Sequence, residues 1–312
     1  MDYDGTGVRP RISVVIAAYN AERTLGEQLA ALADQHEVPD VAWEVLVCDN
    51  RSVDRTAEVA RSFADRVPGL QVLDAFERQG PAYARNLGAM AARGEFLAFC
   101  DADDVVAPDW VAQLNRAFST HDFLAGRFES ERLNSPDILR TRQLSQSDGL
   151  QRTRASEPPH AGAGNLGIRR SLFLELGGFD ENVLSLEDTD FSWRAQRAGV
   201  RLVFIPEVVV HVRLRSTWHG MFTQGRGYGS AQHALELRYP TAAEPAAGGS
   251  AGRVSAVLGL FRCSSLGQLV WRLGWISGHR LPQSWARVSI PVPQPLVPTD
   301  AGRPDTESWH SG

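Results

Sequence analysis

Two carboxylates, Asp101 and Asp103, leave the apolar run Phe96 to Cys100 (FLAFC) with only Ala102 between them, and Asp104 follows. Hard cations such as Mg2+ and Mn2+ take oxygen ligands from one or two carboxylates and complete their shell with water and substrate phosphates. The motif therefore reads as a metal and diphosphate site. An acidic surface turn that caps the helix starting near Pro108 is the competing reading, and the motif alone leaves both open. Other groups collect at the same kind of position. Ala18-Tyr19-Asn20 follows the run Ile12 to Ala17, and Asp49 to Asp54 (DNRSVD) follows the run ending at Cys48. An aromatic ring and several hydrogen-bonding groups thus come to one edge, suited to a base and a ribose. Arg85, in GPAYARNLG, faces that cleft or carries a solvated helix charge. Glu187-Asp188 opens a later helix, where acids suit the macrodipole as well as they suit catalysis.

The elements that must position these groups alternate short apolar runs with longer amphipathic ones, the pattern of a mostly parallel sheet flanked by helices. Strands are expected at Ile12 to Ala17, Val45 to Cys48, Leu70 to Leu73, Phe96 to Cys100 and Phe123 to Phe128. Helices fall between them, from Glu22 to Asp34, from the cap Asp54 through Phe63, and from Pro81 onward. In such sheets ligands bind at the carboxyl ends of the strands. Asn134 to Pro159 reads as a polar, mobile excursion, and order resumes at Gly162 to Arg170. After the turn LGGFD come a helix from Glu187 to Ala198 and two short strands, Leu202 to Ile205 and Val208 to Val212. A helix interrupted at its glycines is expected from Ser216 to Leu237.

Composition excludes several classes. All 32 basic residues are arginine, so P-loop and Schiff-base lysine chemistry are ruled out. No GxGxxG follows the first strand, which argues against a dinucleotide-dependent oxidoreductase; AAYNAERT in its place, with no lysine, argues against a nucleotidylyltransferase. A net charge of −5 provides no global pull toward nucleic acid. Cys48, Cys100 and Cys263 lack metal or disulfide spacing and fit reduced thiols in a cytoplasmic protein.

Taken in order, AAYN, DNRSVD, GPAYARNLG, FLAFCDADD, GAGNLGIRR, LGGFDE, EDTDFSWR and VVVHV resemble the family 2 glycosyltransferases of the GT-A fold, over about Ile12 to Tyr228. The resemblance implies an inverting enzyme that moves a single sugar from a nucleotide-diphosphate donor to a hydroxyl acceptor with Mn2+ or Mg2+. By it, Ala17, Tyr19, Asn20 and Asp49 line the nucleoside pocket, Asp101 and Ala102 lie on the ribose side, and Arg85 helps neutralise the diphosphate. Asp103 binds the metal with Asp101, and His211 matches a third metal-site residue. A half-buried structural histidine remains its alternative. Asn165 borders the sugar pocket. Asp188 is the catalytic base beside Glu187, and Trp193 and Arg226 are the acceptor-side candidates. The chain departs from the family pattern at Ala18, where many members carry proline, and at Asn50-Arg51 in place of a common Asp-Gly.

The domain is expected over residues 1–240, with a linker at 241–252, an amphipathic segment at 253–280 and a Pro-rich disordered tail at 281–312. Arg262, Arg272 and the glycines make a spanning helix a poor reading of Val254 to Ile276. A basic amphipathic segment in an anionic membrane interface and a helix packed on the catalytic domain both fit.

Overall fold

The computed structural model describes residues 9–36, 41–141, 145–153, 157–240, 263, 265–287 and 293–296. Eight strands form one sheet in the order β3-β2-β1-β4-β7-β6-β8-β5. They are β1 (Ile12–Ala18), β2 (Trp43–Asp49), β3 (Gln71–Asp74), β4 (Phe96–Asp101), β5 (Val105–Val106), β6 (Phe123–Glu129), β7 (Asn165–Arg169) and β8 (Val203–His211). The first four are parallel. Beyond β4 the sheet turns mixed, since β7 runs antiparallel to both β4 and β6 while β6 and β8 are parallel. β1 and β4 are buried on both faces, as continuous apolar runs require when helices cover both sides of a sheet.

The helices are α1 (Leu25–Ala33), α2 (Thr56–Arg61), α3 (Pro81–Ala91), α4 (Trp110–Ala117), α5 (Pro136–Leu139), α6 (Arg170–Glu175), α7 (Glu187–Arg197), α8 (Trp218–Arg238) and α9 (Leu266–Arg280). In α1, Leu25, Leu29 and Leu32 form the buried stripe that their spacing predicts. α3 lies against β1, and Gly88 makes that possible: a Cβ there would stand 2.5 Å from Val15 Cγ1 and 2.8 Å from Cys48 Sγ. Cys48 and Cys100 are free thiols in this core, and burial pushes Cys48 up to about 12. Phe99, Phe173, Phe179 and Phe191 pack edge-on and tilted with centroids 5.0 to 5.4 Å apart, joining β4, α6 and α7 beneath the strand ends.

Four expectations are corrected. The two short strands near residue 206 are one strand, β8, whose pairing with β6 jumps from Gly126↔Ile205 to Arg127↔Val209. Pro206 falls in that irregularity, where its missing N–H costs no ladder bond. Second, α8 is continuous. Its glycines mark close contact with α9 rather than breaks, because the two helices pack backbone to backbone. The described part of Asn134 to Pro159 is also not featureless: Gln146 and Glu157 have buried side chains, and Gln151 forms a two-residue bridge with His160 just beyond it. Finally, part of the C-terminal segment is docked, with Leu296 donating its N–H to Leu174 O at 2.8 Å and Ser284–Arg287 forming a 3-10 turn. The proposed linker at 241–252, residues 253–262 and 264 of the amphipathic segment, and residues 288–292 and 297–312 of the tail lie outside the described residues. No helix among the described residues is long and apolar enough to cross a membrane.

Candidate active site

The parallel strands end together, and their register sets the site. Ala17 pairs with Asp101 and Ala18 with Asp49, so three strand ends deliver their polar residues to one edge. Asn20 and Arg51 both adopt left-handed backbone conformations, φ 49° and 63°, which is uncommon outside glycine. Their loops are stitched together. Asn20 N–H donates to Ser52 Oγ at 2.9 Å, and Val53 N–H donates to Asn20 Oδ1 at 2.9 Å. Arg51 sits where a glycine would relax the turn, and its guanidinium donates to the carbonyls of Phe76 and Glu77. Asn50 is buried and holds Ala75 O, Arg78 O and the Gly80 N–H. Asp49, also buried, accepts from Ser52 N–H at 3.2 Å. Tyr19 is 55% exposed, which leaves its ring facing solvent at this edge.

Asp101, Asp103 and Asp104 each place a carboxylate oxygen within 4.8 Å of the others. Gln28 braces the turn between them, donating to Asp101 O at 3.2 Å and accepting from Val106 N–H at 3.0 Å. Ala102 is buried beneath it. Asp104 is the residue that the sequence reading left out of the metal set. It is buried and accepts from Arg213 N–H at 2.8 Å, while Asp103 is half-exposed with Arg215 3.5 Å away. Burial and then the charge of Asp101 hold the Asp103 carboxyl above the usual carboxylate range, and burial followed by the charges of Asp103 and Asp101 holds Asp104 well above it.

Arg85 joins the two walls. It is 6% exposed, and its amino nitrogens donate to Asp101 at 2.6 Å and to Glu187 at 2.8 Å. Its guanidinium also lies 5.8 Å from the Phe179 centroid. Both amino nitrogens are thus engaged by carboxylates, and Arg85 stands between Asp101 and Glu187. Glu187 is buried, and burial followed by the charge of Asp188 pushes its carboxyl up to about 7, against the opposing pull of Arg85. Asp188, half-buried, accepts from the N–H groups of Ala163 at 3.0 Å and Thr189 at 2.7 Å. Leu186, directly before the pair, has φ 60°; left-handed backbone at a bulky residue is costly and must be held by its surroundings. Gly164 lets the far loop approach: a Cβ there would stand 2.8 Å from Asp101 Oδ2.

Two predicted residues, Asn165 and Trp193, are placed differently from expectation. Asn165 is buried, and its amide is used by Arg127 O, Val208 O and Trp110 Nε1–H, so it pins β6 and β8 to α4 rather than bordering a sugar pocket. Trp193 is fully buried, with its indole N–H donated to Pro158 O at 2.9 Å, and cannot meet an acceptor from there. His211 lies on β8 opposite Val105, outside the three-carboxylate group, with Nδ1 bonded to Glu129. Burial raises Glu129, but the His211 hydrogen bond and charge together with the Glu131 and Arg132 N–H groups outweigh it and hold the carboxyl below its usual range. Arg226 is exposed on α8. Neighbouring Gly227 would place a Cβ 3.2 Å from Ser185 Oγ, so this stretch of α8 runs beside the loop that leads to Glu187.

The sequence profile of Glycosyl transferase family 2 matches residues 13–177, more than half of the chain, and that of Glycosyl transferase family group 2 matches residues 96–277. The chain belongs to glycosyltransferase family 2. Relatives within it include the glycosyltransferase AglE of Haloferax volcanii, 32% identical over 209 residues that make up 65% of this chain and 67% of AglE. The pre-mycofactocin glycosyltransferase of Mycobacterium tuberculosis is 30% identical over 56% of this chain but only 39% of its own length. Among solved structures, the mannosyltransferase PcManGT from Pyrobaculum calidifontis, in complex with GDP-Man and Mn2+, superposes with a TM-score of 0.62 at 20% identity over 88% of each chain. Staphylococcus aureus TarS 1-349 with UDP-GlcNAc gives 0.54 at 18% identity, over 88% of this chain and 93% of that one. The family 2 chain thus has the GT-A fold, with the triad, Arg85 and the Glu187-Asp188 pair at its strand ends.

Proposed function

We propose that this glycosyltransferase is an inverting, divalent-metal-dependent enzyme that moves one sugar from a nucleoside-diphosphate donor onto a hydroxyl acceptor. The observation that carries the proposal is the carboxylate group at the end of β4, coupled through Arg85 to the acidic pair that opens α7. Its carboxylate oxygens suit Mn2+ or Mg2+. Burial first, and then neighbouring carboxylate charge, hold Asp103 and Asp104 above the usual range, and a divalent cation would relieve the second of these. Asp103 and Asp101 would hold the ion, with His211 as a third ligand oriented by Glu129 in the way outer-shell carboxylates orient ligating histidines. The bound ion supplies neutralisation of the charge that grows on the departing diphosphate.

The chain's own residues do the rest. Ala17, Tyr19, Asn20 and Asp49 take the nucleoside at the ends of β1 and β2. Arg85 positions Asp101 and Glu187. Asp188, the less buried acid of its pair, takes the proton of the acceptor hydroxyl as it attacks the anomeric carbon from the face opposite the leaving group, and so inverts that centre. Arg226 borders the acceptor side. The solved neighbours named with GDP-Man and with UDP-GlcNAc support a donor of this chemistry. Exposed Leu266, Leu273 and Leu281 on and just past α9, with Arg272 and Arg280, give an apolar and basic edge suited to an anionic lipid surface on the cytoplasmic face.

A panel of UDP-, GDP- and dTDP-sugars with Mn2+ or Mg2+ tests the reading, since a ligand that binds only the native state raises the melting temperature. The expected result is a donor that stabilises only with metal and releases nucleotide when acceptor is added. Transfer that survives chelation, or donor binding without any turnover, overturns it. Retention on anionic vesicles at low salt tests the membrane edge separately.

A further inference from the structure

A second group of metal-competent side chains lies away from the strand ends, where α9 packs on α8. The two helices run in the same direction: Phe222 and Arg226 of α8 meet Gly274 and Gly278 of α9, and Gly225 and Gly229 meet Trp271 and Trp275. Each partner carries glycines four residues apart, and a Cβ at any of the four would stand only 2.0 to 2.2 Å from a backbone oxygen of the other helix. Such spacing lets two helix backbones touch. Ser230 adds a hydrogen bond to Gly278 O, and Gln283 N–H returns to Ser230 Oγ.

The close crossing brings three side chains together. His233 is one turn beyond Gly229, Glu236 follows at i+3 on the same face, and His279 comes directly after Gly278. One ligand atom from each lies within 4.8 Å of the other two. His279 Nε2 is 2.9 Å from Glu236 Oε2, the two imidazoles stand at 89° with centroids 5.8 Å apart, and the His279 ring stacks on Trp275 at 4.9 Å. Gln232 donates to the other Glu236 oxygen at 3.2 Å. All three residues are half-buried, so solvent and an ion reach them. Burial and the neighbouring His279 lower the His233 pKa, which favours the neutral imidazole that a metal takes.

We propose that His233, Glu236 and His279 form a Zn2+ site that pins α9 to α8. Two imidazole nitrogens and one carboxylate oxygen are a zinc ligand set, with water completing the tetrahedron, whereas the strand-end triad offers only oxygen. Zn–N bonds of about 2.0–2.1 Å call for a small inward rotation of both rings. The glycine crossing holds the backbones still while that rotation occurs. Stacking on Trp275 sets the plane of one ring, and Gln232 fixes the carboxylate, as outer-shell partners do at metal sites. The site is independent of the transferase reaction.

The test is a ZnCl2 titration of the full chain in excess Mg2+, followed by desalting, measurement of bound zinc by atomic emission, and melting curves. The wild type should retain one zinc per chain and gain about 5 °C in Tm at saturating zinc. Asp103→Ala should behave alike. His233→Gln and His279→Gln should each lose the bound zinc and the shift, and Glu236→Gln should bind at least about tenfold more weakly. Circular dichroism of the zinc-free variants checks folding, and Glu236→Gln, which keeps both rings, carries the test if either histidine variant does not fold. No retained zinc in the wild type, zinc retained by all three variants, or zinc lost in Asp103→Ala would overturn the proposal.

Discussion

Two acidic clusters in this molecule are built from similar residues and differ in their balance of charge. Behind α7, Asp180 and Asp190 are buried with Arg194 and Arg238. Arg238 reaches Asp180 at 2.5 Å and Asp190 at 2.7 Å, Arg194 reaches Asp190 at 2.8 Å, and Tyr239 donates to Asp190 at 2.8 Å. Two carboxylates thus face two guanidiniums, and the cluster is complete within the chain. At the strand ends, Asp101, Glu187 and Asp188 gather around buried Arg85, and Asp103 and Asp104 lie beside Asp101 with Arg215 3.5 Å from Asp103 and the Arg213 side chain on the Asp103 carbonyl. Burial first, and then the charge of neighbouring carboxylates, hold Asp103, Asp104 and Glu187 above their ordinary range. A matched buried network serves folding; an unmatched one waits for a cation or a proton from outside.

The largest effect that would break this contrast is expected at Asp103. Asp103→Ala should lower kcat by about 10⁴-fold or more, since several kcal/mol of charge stabilisation goes with the metal, and should abolish metal-dependent donor binding. Steady-state turnover and donor titration with and without Mn2+ check both. In the matched cluster the effect should fall on folding instead. Arg238→Met strands two buried carboxylates with fewer partners and should cost about 3–5 kcal/mol of stability. Chemical denaturation measures it, and turnover per folded molecule should change little. A large turnover defect in folded Arg238→Met would dissolve the distinction between the clusters.

Much of this was legible in the sequence, because the parallel half of the fold rests on local signals. ISVVIA and FLAFC are continuous apolar runs, Pro81 opens α3, and the order of motifs carries the family. The acids at the strand ends were visible for the same reason, since a strand end is a local feature. What escaped depends on partners far along the chain. Nothing local to Arg85 says that both its arms are taken by residues 16 and 102 positions away. Asn165 and Trp193 have the right types for a sugar pocket, yet each is spent on buried carbonyls from other elements. The glycines of α8 read as breaks because the helix that needs them lies some 45 residues further on, in α9.

Within the unmatched cluster, the two acids that open α7 should separate by role. Asp188→Asn keeps size and hydrogen bonding but cannot take a proton, so it should spare donor affinity and lower kcat by about 10² to 10⁴. Equal loss in donor affinity and turnover would make Asp188 a binding residue.

The smallest effect, and the one that addresses charge balance directly, is the pH dependence of stability at Glu187. Its carboxyl is pushed from an ordinary value of 4.5 up to about 7 in the fold, chiefly by burial and then by Asp188, with Arg85 opposing. A raised carboxyl binds its proton more tightly folded than unfolded. Its contribution to stability is therefore fully present below about pH 4.5 and is lost as pH rises through about 7. Glu187→Gln fixes the side chain in a neutral form of the same shape. In metal-free buffer the variant and the wild type should melt together near pH 5, and the variant should melt higher at pH 8. At about 1.4 kcal/mol per pH unit of displacement, the gap is on the order of 1 to 3 kcal/mol. Melting curves at both pH values read it out. If the variant instead loses stability at pH 8, Arg85 more than compensates the buried acid, and the strand-end cluster is as well matched as the one behind α7.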